Sequence, residues 1–180
     1  MDSVAGLATR EPKGAKREAA MAIASLREYL DKHGVKYIVI SHSPAYTARG
    51  IAALSHIPGG ELAKTVVVKL DGELVMAVLP SSLRVDLGLL KKVRNANTAE
   101  VASEGDFRNR FEECELGAMP PFGNLYGMDV IVDESLTRDQ EIAFNACSHR
   151  ELIRLAWADF EALAKPQVAR FAARATVEVA

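Results

Sequence analysis

The stretch ELAKTVVVKLDGELVMAVLP, residues 61–80, predicts two antiparallel strands joined by a tight turn. Its first half is rich in valine, and β-branched side chains suit a pleated, half-buried surface. Asp71 and Gly72 stand between the two apolar runs, and Asp-Gly in this position is a strong signal for a β-hairpin. We therefore predict strands over 65–70 and 74–80.

Two lysines flank the first of these strands. Because side chains alternate across a strand, Lys64 shares a face with Val66 and Val68, whereas Lys69 lies on the opposite face beside the turn. We expect Lys69 to be an ordinary solvated residue. Lys64 opens a buried strand, where its cation either meets a ligand or carboxylate or extends its head into water. The residues alone leave both interpretations open.

The composition is typical of one globular domain. The chain has 180 residues, of which 49% are hydrophobic and 26% charged, with a net charge of −2. This charge argues against tight, sequence-independent binding of long nucleic acid, so we expect no DNA partner. Two small basic spots, residues 91–95 and the pair Arg108 and Arg110, are either phosphate contacts or ordinary solvated faces.

Membrane and secretion signals are missing from the sequence. No apolar run approaches the roughly 18 residues of a membrane span, and the first residues lack the apolar core of a secretory signal. The chain has two cysteines, Cys114 and Cys147, in no CxxC motif and at no metal-ligand spacing. We therefore expect two ordinary thiols in a reduced, cytoplasmic protein with no membrane partner.

Helical and strand patterns are mixed along the rest of the chain. Helices are predicted over 19–32, 48–56 and 157–164, with another that starts at Asp86 or Ser82 and runs to Val93 and a short one capped by Ser103. Further strands are predicted over 35–42, near 98–101, and over 128–133, 141–146 and 151–156. The tail after 166 is a weak helical candidate. These patterns predict an α/β (α+β) fold around a mixed sheet. We divide the chain into a loose lead-in (1–18), one domain (19–165) and a tail (166–180).

Standard enzyme motifs are not found in the sequence. It contains no GxSxG, Walker loop, HExxH or GxGxxG, and its four histidines have no metal-ligand spacing. Cys147 as a nucleophile would need an activating base, and His149 follows two residues later; a small buried thiol is the alternative. The loop GAMPPFG, 117–123, either presents backbone N–H groups to a ligand or is a tight crossover between strands.

Six segments in this order resemble the YbaK/ProX family of aminoacyl-tRNA editing domains, which occur free-standing or inserted in bacterial prolyl-tRNA synthetases. The segments are SHSPAYTARGIAAL, LAKTVVVK, LVMAVLPSSLRVDLGLLKK, ELGAMPPFG, DVIVDESL and FNACSHREL. The resemblance runs from about Ala19 to Leu163. It implies a single YbaK-like domain with a largely antiparallel, barrel-like sheet surrounded by helices.

The resemblance also implies an activity, which is that of a trans-editing deacylase. Such an enzyme hydrolyses the ester of a mischarged tRNA that carries a small amino acid. The family uses no protein nucleophile, metal or cofactor, because water attacks with help from the ribose hydroxyls of the substrate. Lys64 matches the essential lysine, whose point charge can engage the terminal-adenosine phosphate or polarise the ester carbonyl. The residues expected to bind substrate are Tyr46, Thr65, Gly117, Pro120, Pro121, Phe122, Gly123, Cys147, Ser148 and His149.

The chain departs from the family pattern at Cys147, where many relatives carry glycine. This side chain is expected to narrow or reshape the pocket for the amino acid, and whether His149 faces the substrate is left open. The expected partner is the 3′ aminoacyl-adenosine end of a mischarged tRNA, and a cognate aminoacyl-tRNA synthetase is a second candidate. The competing interpretation is a non-catalytic tRNA- or synthetase-associated module of the same fold. A haem- or small-molecule-binding protein has weaker support.

Overall fold

The computed structural model describes residues 13–43, residue 57 and residues 60–174. The helices of this part are α1 (Lys13–Lys32), α2 (Leu87–Val93), α3 (Glu104–Phe107) and α4 (Trp157–Ala164). Its strands are β1 (Tyr37–Ser41), β2 (Ala63–Leu70), β3 (Glu73–Pro80), β4 (Leu83–Val85), β5 (Ala99–Val101), β6 (Asp129–Asp133), β7 (Glu141–Asn145), β8 (Glu151–Ala156), β9 (Gln167–Ala169) and β10 (Ala172–Arg174). The helix predicted over 48–56 lies outside the described residues.

The predicted hairpin is the centre of a five-stranded sheet with strand order β5-β2-β3-β6-β9. β2 pairs antiparallel with β3 from Ala63 opposite Pro80 to Leu70 opposite Glu73. The turn residues Asp71 and Gly72 both have positive φ, as the turns that suit a two-residue hairpin loop require. β6 and β9 extend the sheet in parallel, whereas β5 is antiparallel to β2.

Both faces of the large sheet are buried. On one face, Val67 and Met76 join the main core, which also contains residues of α1, α4 and the antiparallel sheet β1-β8-β7. On the other face, Val68 and Ala77 pack with Leu90 of α2 beneath the two-stranded sheet β10-β4. This arrangement confirms the mixed, largely antiparallel α/β class of a single domain.

One isolated bridge joins the two larger sheets. Leu62, just before β2, bridges in parallel to Ala143 of β7, and the Ala143 N–H donates to the carbonyl of Glu61 at 3.1 Å. The next residues on each side, Ala63 and Phe144, belong to the main core. The start of β2 and the end of β7 therefore run side by side.

The helical expectation for the tail is wrong. β9 pairs in parallel with β6, and β10 pairs antiparallel with β4. Phe171, between them, is fully buried, and its N–H and that of Ala172 donate to the Asp133 carboxylate at 2.9 and 2.7 Å. Burial alone would raise the pKa of Asp133, but these hydrogen bonds and those from Ser135 hold it below its usual value. The domain limits at 18/19 and 165/166 stay a prediction.

The expectation for Lys69 is also wrong. Its ammonium lies 3.1 Å from a carboxylate oxygen of Glu100 and 3.0 Å from one of Asp106, and its side chain is only 25% exposed. Hydrogen bonds to Asp106 and Glu100 raise the pKa of Lys69. Glu100 stands opposite Lys69 because β5 pairs with β2, and that pairing has no local signal in the sequence.

One arginine of each basic spot has partners within the fold. The Arg94 guanidinium donates to Asp129 at 2.7 Å, and Arg110 donates to the carbonyls of Tyr126 and Gly127. These contacts favour the ordinary structural interpretation over phosphate binding for both arginines. Across the described residues, no helix combines the length and apolar character needed to cross a membrane.

Candidate active site

Lys64 is the second residue of β2 and lies opposite Leu79. Its side chain is half-buried, and Nζ donates to the Ser81 carbonyl at 3.4 Å. Burial lowers the pKa of Lys64, and the positive charge of Arg84 lowers it further. Within the described part of the chain, no carboxylate forms an ion pair with this ammonium. Among the described residues, Lys64 is therefore a partly desolvated donor with one long hydrogen bond to a backbone carbonyl.

Thr65 does not share a face with Lys64. Side chains alternate along β2, so Thr65 lies on the face of Ala63 and Val67, which belong to the main core. Thr65 is half-buried and stands opposite Val78 of β3. Of these two predicted site residues, only Lys64 lies on the same face as Leu62, the residue that bridges to β7.

The loop 117–123 is buried except at its first residue. Gly117 is exposed with φ +83°, whereas Pro120 and Pro121 are buried. The fully buried Phe122 ring packs edge-on against three aromatic side chains, those of Tyr29, Phe144 and Phe160. The rigid loop is thus anchored in the core and presents its Gly117 end to solvent.

Gly123 is a glycine because its neighbours are too close for a side chain. A Cβ there would lie 2.6 Å from Val130 Cγ2 and nearer still to the carbonyl oxygen of Met128. The Met128 N–H also donates to the Gly123 carbonyl at 2.9 Å. The end of the loop is therefore fixed directly against the start of β6.

The segment 147–149 is hydrogen-bonded to the start of the loop and to the residues just before it. The Cys147 N–H donates to the Ala118 carbonyl at 2.9 Å, and the Glu115 N–H donates to the Cys147 carbonyl at 3.0 Å. The His149 N–H donates to the Glu115 carboxylate at 2.7 Å, and Nε2 lies 2.6 Å from the Leu116 carbonyl. Because a carbonyl only accepts, Nε2 must carry a hydrogen.

These contacts bring several predicted site residues together. A Cβ on Gly117 would be 3.5 Å from His149 Cε1, so the ring of His149 stands directly beside the exposed end of the loop. Both Ser148 and His149 are buried, and Ser148 Oγ accepts the Arg150 N–H at 3.1 Å. The loop and the segment 147–149 form one wall. Tyr46, the remaining predicted residue, lies outside the described residues.

Cys114 and Cys147 are joined by a disulfide, which corrects the expectation of two ordinary thiols. The Tyr126 hydroxyl lies 3.6 Å from each sulfur, and it must donate because neither sulfur carries a hydrogen. Burial and the charge of Glu113 raise the pKa of Tyr126 to about 12. A sulfur held in a disulfide offers no thiolate, so this state excludes a nucleophilic Cys147. The cysteines are 33 residues apart, a separation with no local pairing signal.

Sequence reasoning missed Glu115 and Asn145. Glu115 holds the backbone of His149, 34 residues away along the chain. Asn145 ends β7, two residues beyond the isolated bridge between Leu62 and Ala143. Neither residue stands in a spacing pattern that sequence alone would single out. Among the described residues, no three His, Cys, Asp or Glu side chains cluster to hold a metal ion.

Comparison with known proteins places this geometry in a family. The family model described as an aminoacyl-tRNA editing domain matches residues 42–163. The multifunctional Ser/Thr-tRNA deacylase ProXp-y of Escherichia coli (strain K12) is 27% identical over 147 residues, which cover 79% of this chain and 87% of that protein.

Solved structures agree on the fold. A candidate trans-editing enzyme for prolyl-tRNA synthetase has a TM-score of 0.73 at 20% identity, covering 86% of this chain and 98% of that one. A hypothetical protein has a TM-score of 0.74 at 17% identity, covering 82% and 99%. The expected fold and the expected enzyme class, an aminoacyl-tRNA deacylase, are confirmed, and the chain belongs to the family of aminoacyl-tRNA editing domains.

Proposed function

We propose that this chain hydrolyses the ester of mischarged tRNA carrying a small amino acid, with serine and threonine as the first candidates. The serine and threonine come from the name of the Escherichia coli relative. Water attacks the ester carbonyl with help from the ribose hydroxyls of the substrate. The Lys64 ammonium donates to the carbonyl oxygen as negative charge develops on it.

The environment of Lys64 is the observation that carries this proposal. Its ammonium is half-buried, makes a long hydrogen bond of 3.4 Å to the Ser81 carbonyl and has no ion-pair partner among the described carboxylates. A donor of this kind is already partly desolvated, so it needs little reorganisation when charge appears on a substrate oxygen. By contrast, the ammonium of Lys69 on the same strand is occupied by two carboxylates.

The wall formed by the loop and the segment 147–149 supports selection for a small amino acid. Backbone hydrogen bonds and the disulfide tie Cys147 to the start of the loop and to the residues before it. Pro120 and Pro121 stiffen the loop. A rigid wall rejects an oversized side chain by steric clash. It discriminates poorly against a smaller one, because one methylene is worth only about 1–3 kcal/mol.

The direct test is a deacylation panel with the purified chain. Seryl-, threonyl- and alanyl-tRNA are incubated with the protein, with and without a chelator, and the remaining ester is measured over time. We expect hydrolysis of at least one of these esters well above the spontaneous rate, and the same rate with the chelator. Loss of activity with the chelator and recovery with zinc would contradict the metal-free mechanism.

The non-catalytic alternative makes the opposite prediction in the same panel. A binding module would retain the charged tRNA on a filter but leave every ester at its spontaneous rate. A synthetase partner also belongs to the proposal, supported by the trans-editing description of one structural neighbour. Co-elution of the chain with prolyl-tRNA synthetase tests it, and separate elution at micromolar concentrations of both proteins would count against it.

A further inference from the structure

Among the described residues, one buried polar atom at the end of β7 has no hydrogen-bond partner. Oδ1 of Asn145 is buried and accepts no hydrogen bond within the described chain. The residue as a whole is partly exposed. A buried carbonyl oxygen without a donor costs folding free energy, and such an atom in a native structure calls for a reason.

The bridge between Leu62 and Ala143 brings the start of β2 close to the end of β7, where Asn145 lies. Leu62 bridges to Ala143 in parallel, so two residues further along each strand stand Lys64 and Asn145. Alternation sends both side chains to the same face, since the residues between them, Ala63 and Phe144, turn the other way into the main core. Extending the register of this bridge by two residues therefore aligns a cationic donor with an acceptor that has no partner among the described residues.

An aminoacyl ester carries the matching pair of groups. Its carbonyl oxygen needs a donor, and its α-amino group, one carbon away, has N–H bonds that need an acceptor. A neutral amide oxygen suits this position, because a carboxylate would form an ion pair with Lys64 and occupy its ammonium. We infer that Asn145 binds the α-amino group of the aminoacyl ester through Oδ1 while Lys64 holds the carbonyl. This inference rests on the proposed deacylase function and names a residue for it.

The test compares seryl-tRNA with 3-hydroxypropionyl-tRNA, which has hydrogen in place of the α-amino group. Each enzymatic kcat/KM is divided by the spontaneous hydrolysis rate of the same ester, and the ratio of the two values is the amino preference. In Asn145→Ala this preference should fall about 10-fold, the size expected for one lost hydrogen bond in a desolvated site. Asn145→Asp keeps an acceptor and should keep the preference even where its overall rate falls.

Asn124→Ala is the matched control. The Asn124 amide is exposed and donates to the Tyr29 hydroxyl at 2.9 Å, so its removal should leave the amino preference unchanged. Thermal unfolding of each variant shows whether it is folded. The amino preference of the wild-type chain tests the inference even if a variant does not fold. An equal amino preference in Asn145→Ala and the wild type, or no amino preference in the wild type, would overturn the inference about Asn145 and leave the proposed function intact. A wild-type chain that cleaves neither ester would refute the proposed function instead.

Discussion

Replacing Lys64 with alanine should separate activity from stability. The variant loses a donor aimed at the developing oxyanion, and removal of one such donor typically lowers kcat by about 10²–10³, or roughly 2.7–4 kcal/mol. The same change removes a partly desolvated ammonium whose pKa is already lowered by burial and by Arg84. We therefore expect the melting temperature of Lys64→Ala to stay unchanged or rise slightly.

Lys69→Ala is the control on the same strand. It removes two ion pairs, at 3.1 and 3.0 Å, and leaves the face of Lys64 untouched. Its melting temperature should fall while its kcat stays close to that of the wild type. Lys64→Arg should also be nearly inactive, because a planar guanidinium does not occupy the place of a compact ammonium.

Multiple-turnover deacylation at several tRNA concentrations measures kcat and KM separately, and calorimetry measures the melting temperatures. If Lys64 polarises the carbonyl, its loss lowers kcat; if it only holds a phosphate, KM rises with kcat preserved. Near-normal turnover in Lys64→Ala would refute the reasoning. An equally large loss of activity in a folded Lys69→Ala variant would refute it as well.

Three further changes have defined outcomes. Gly123→Ala should lower the unfolding free energy by about 1–3 kcal/mol in a denaturant titration, because its Cβ would meet the close neighbours described above. Gly60→Ala is the control, since no atom lies within 4 Å of the new Cβ, and its unfolding free energy should hardly change. Asp133→Asn should lower the melting temperature at pH 7. Because the pKa of the Asp133 carboxyl is lower in the folded than in the unfolded chain, the difference in melting temperature from the wild type should shrink as the pH falls below about 4. A difference that stays constant with pH would contradict this. Cys147→Gly should widen the range of aminoacyl groups that are cleaved. Cys114→Ser breaks the same disulfide and should leave that range unchanged. Equal widening in both variants would show that the disulfide, and not the Cys147 side chain, sets the selectivity.

The elements with local signals were predicted well from the sequence. The Asp-Gly hairpin is present, and α2 begins after Asp86, whose carboxylate accepts the Leu89 N–H at 2.9 Å. α3 begins after Ser103, which forms a capping box with Asp106. Each of these features depends on residues within a few positions of one another, so the sequence pattern contains all that is needed.

Features set by distant residues were missed. β9 and β10 are three residues each, too short to show a period, and they exist because β6 and β4 offer them edges. The Cys114–Cys147 disulfide likewise depends on the final position of two separate segments. In the site, Lys64 and the loop stand out from the residues themselves and receive their roles from the resemblance, whereas the places of Glu115 and Asn145 depend on contacts that only the folded chain creates.

The late position of β9 in the chain has a consequence for synthesis on the ribosome. β6 is complete at Asp133, but its outer edge stays open until residues 167–169 emerge and pair with Ile131 to Asp133 in parallel. Parallel pairing of segments so far apart is slow, because the loop between them must close before any contact forms. Until then a growing chain exposes the edge of an apolar strand, the kind of surface that recruits other chains into aggregates. Expression at low temperature, or with chaperones that cover such edges, should therefore raise the yield of folded protein more than it raises the total yield.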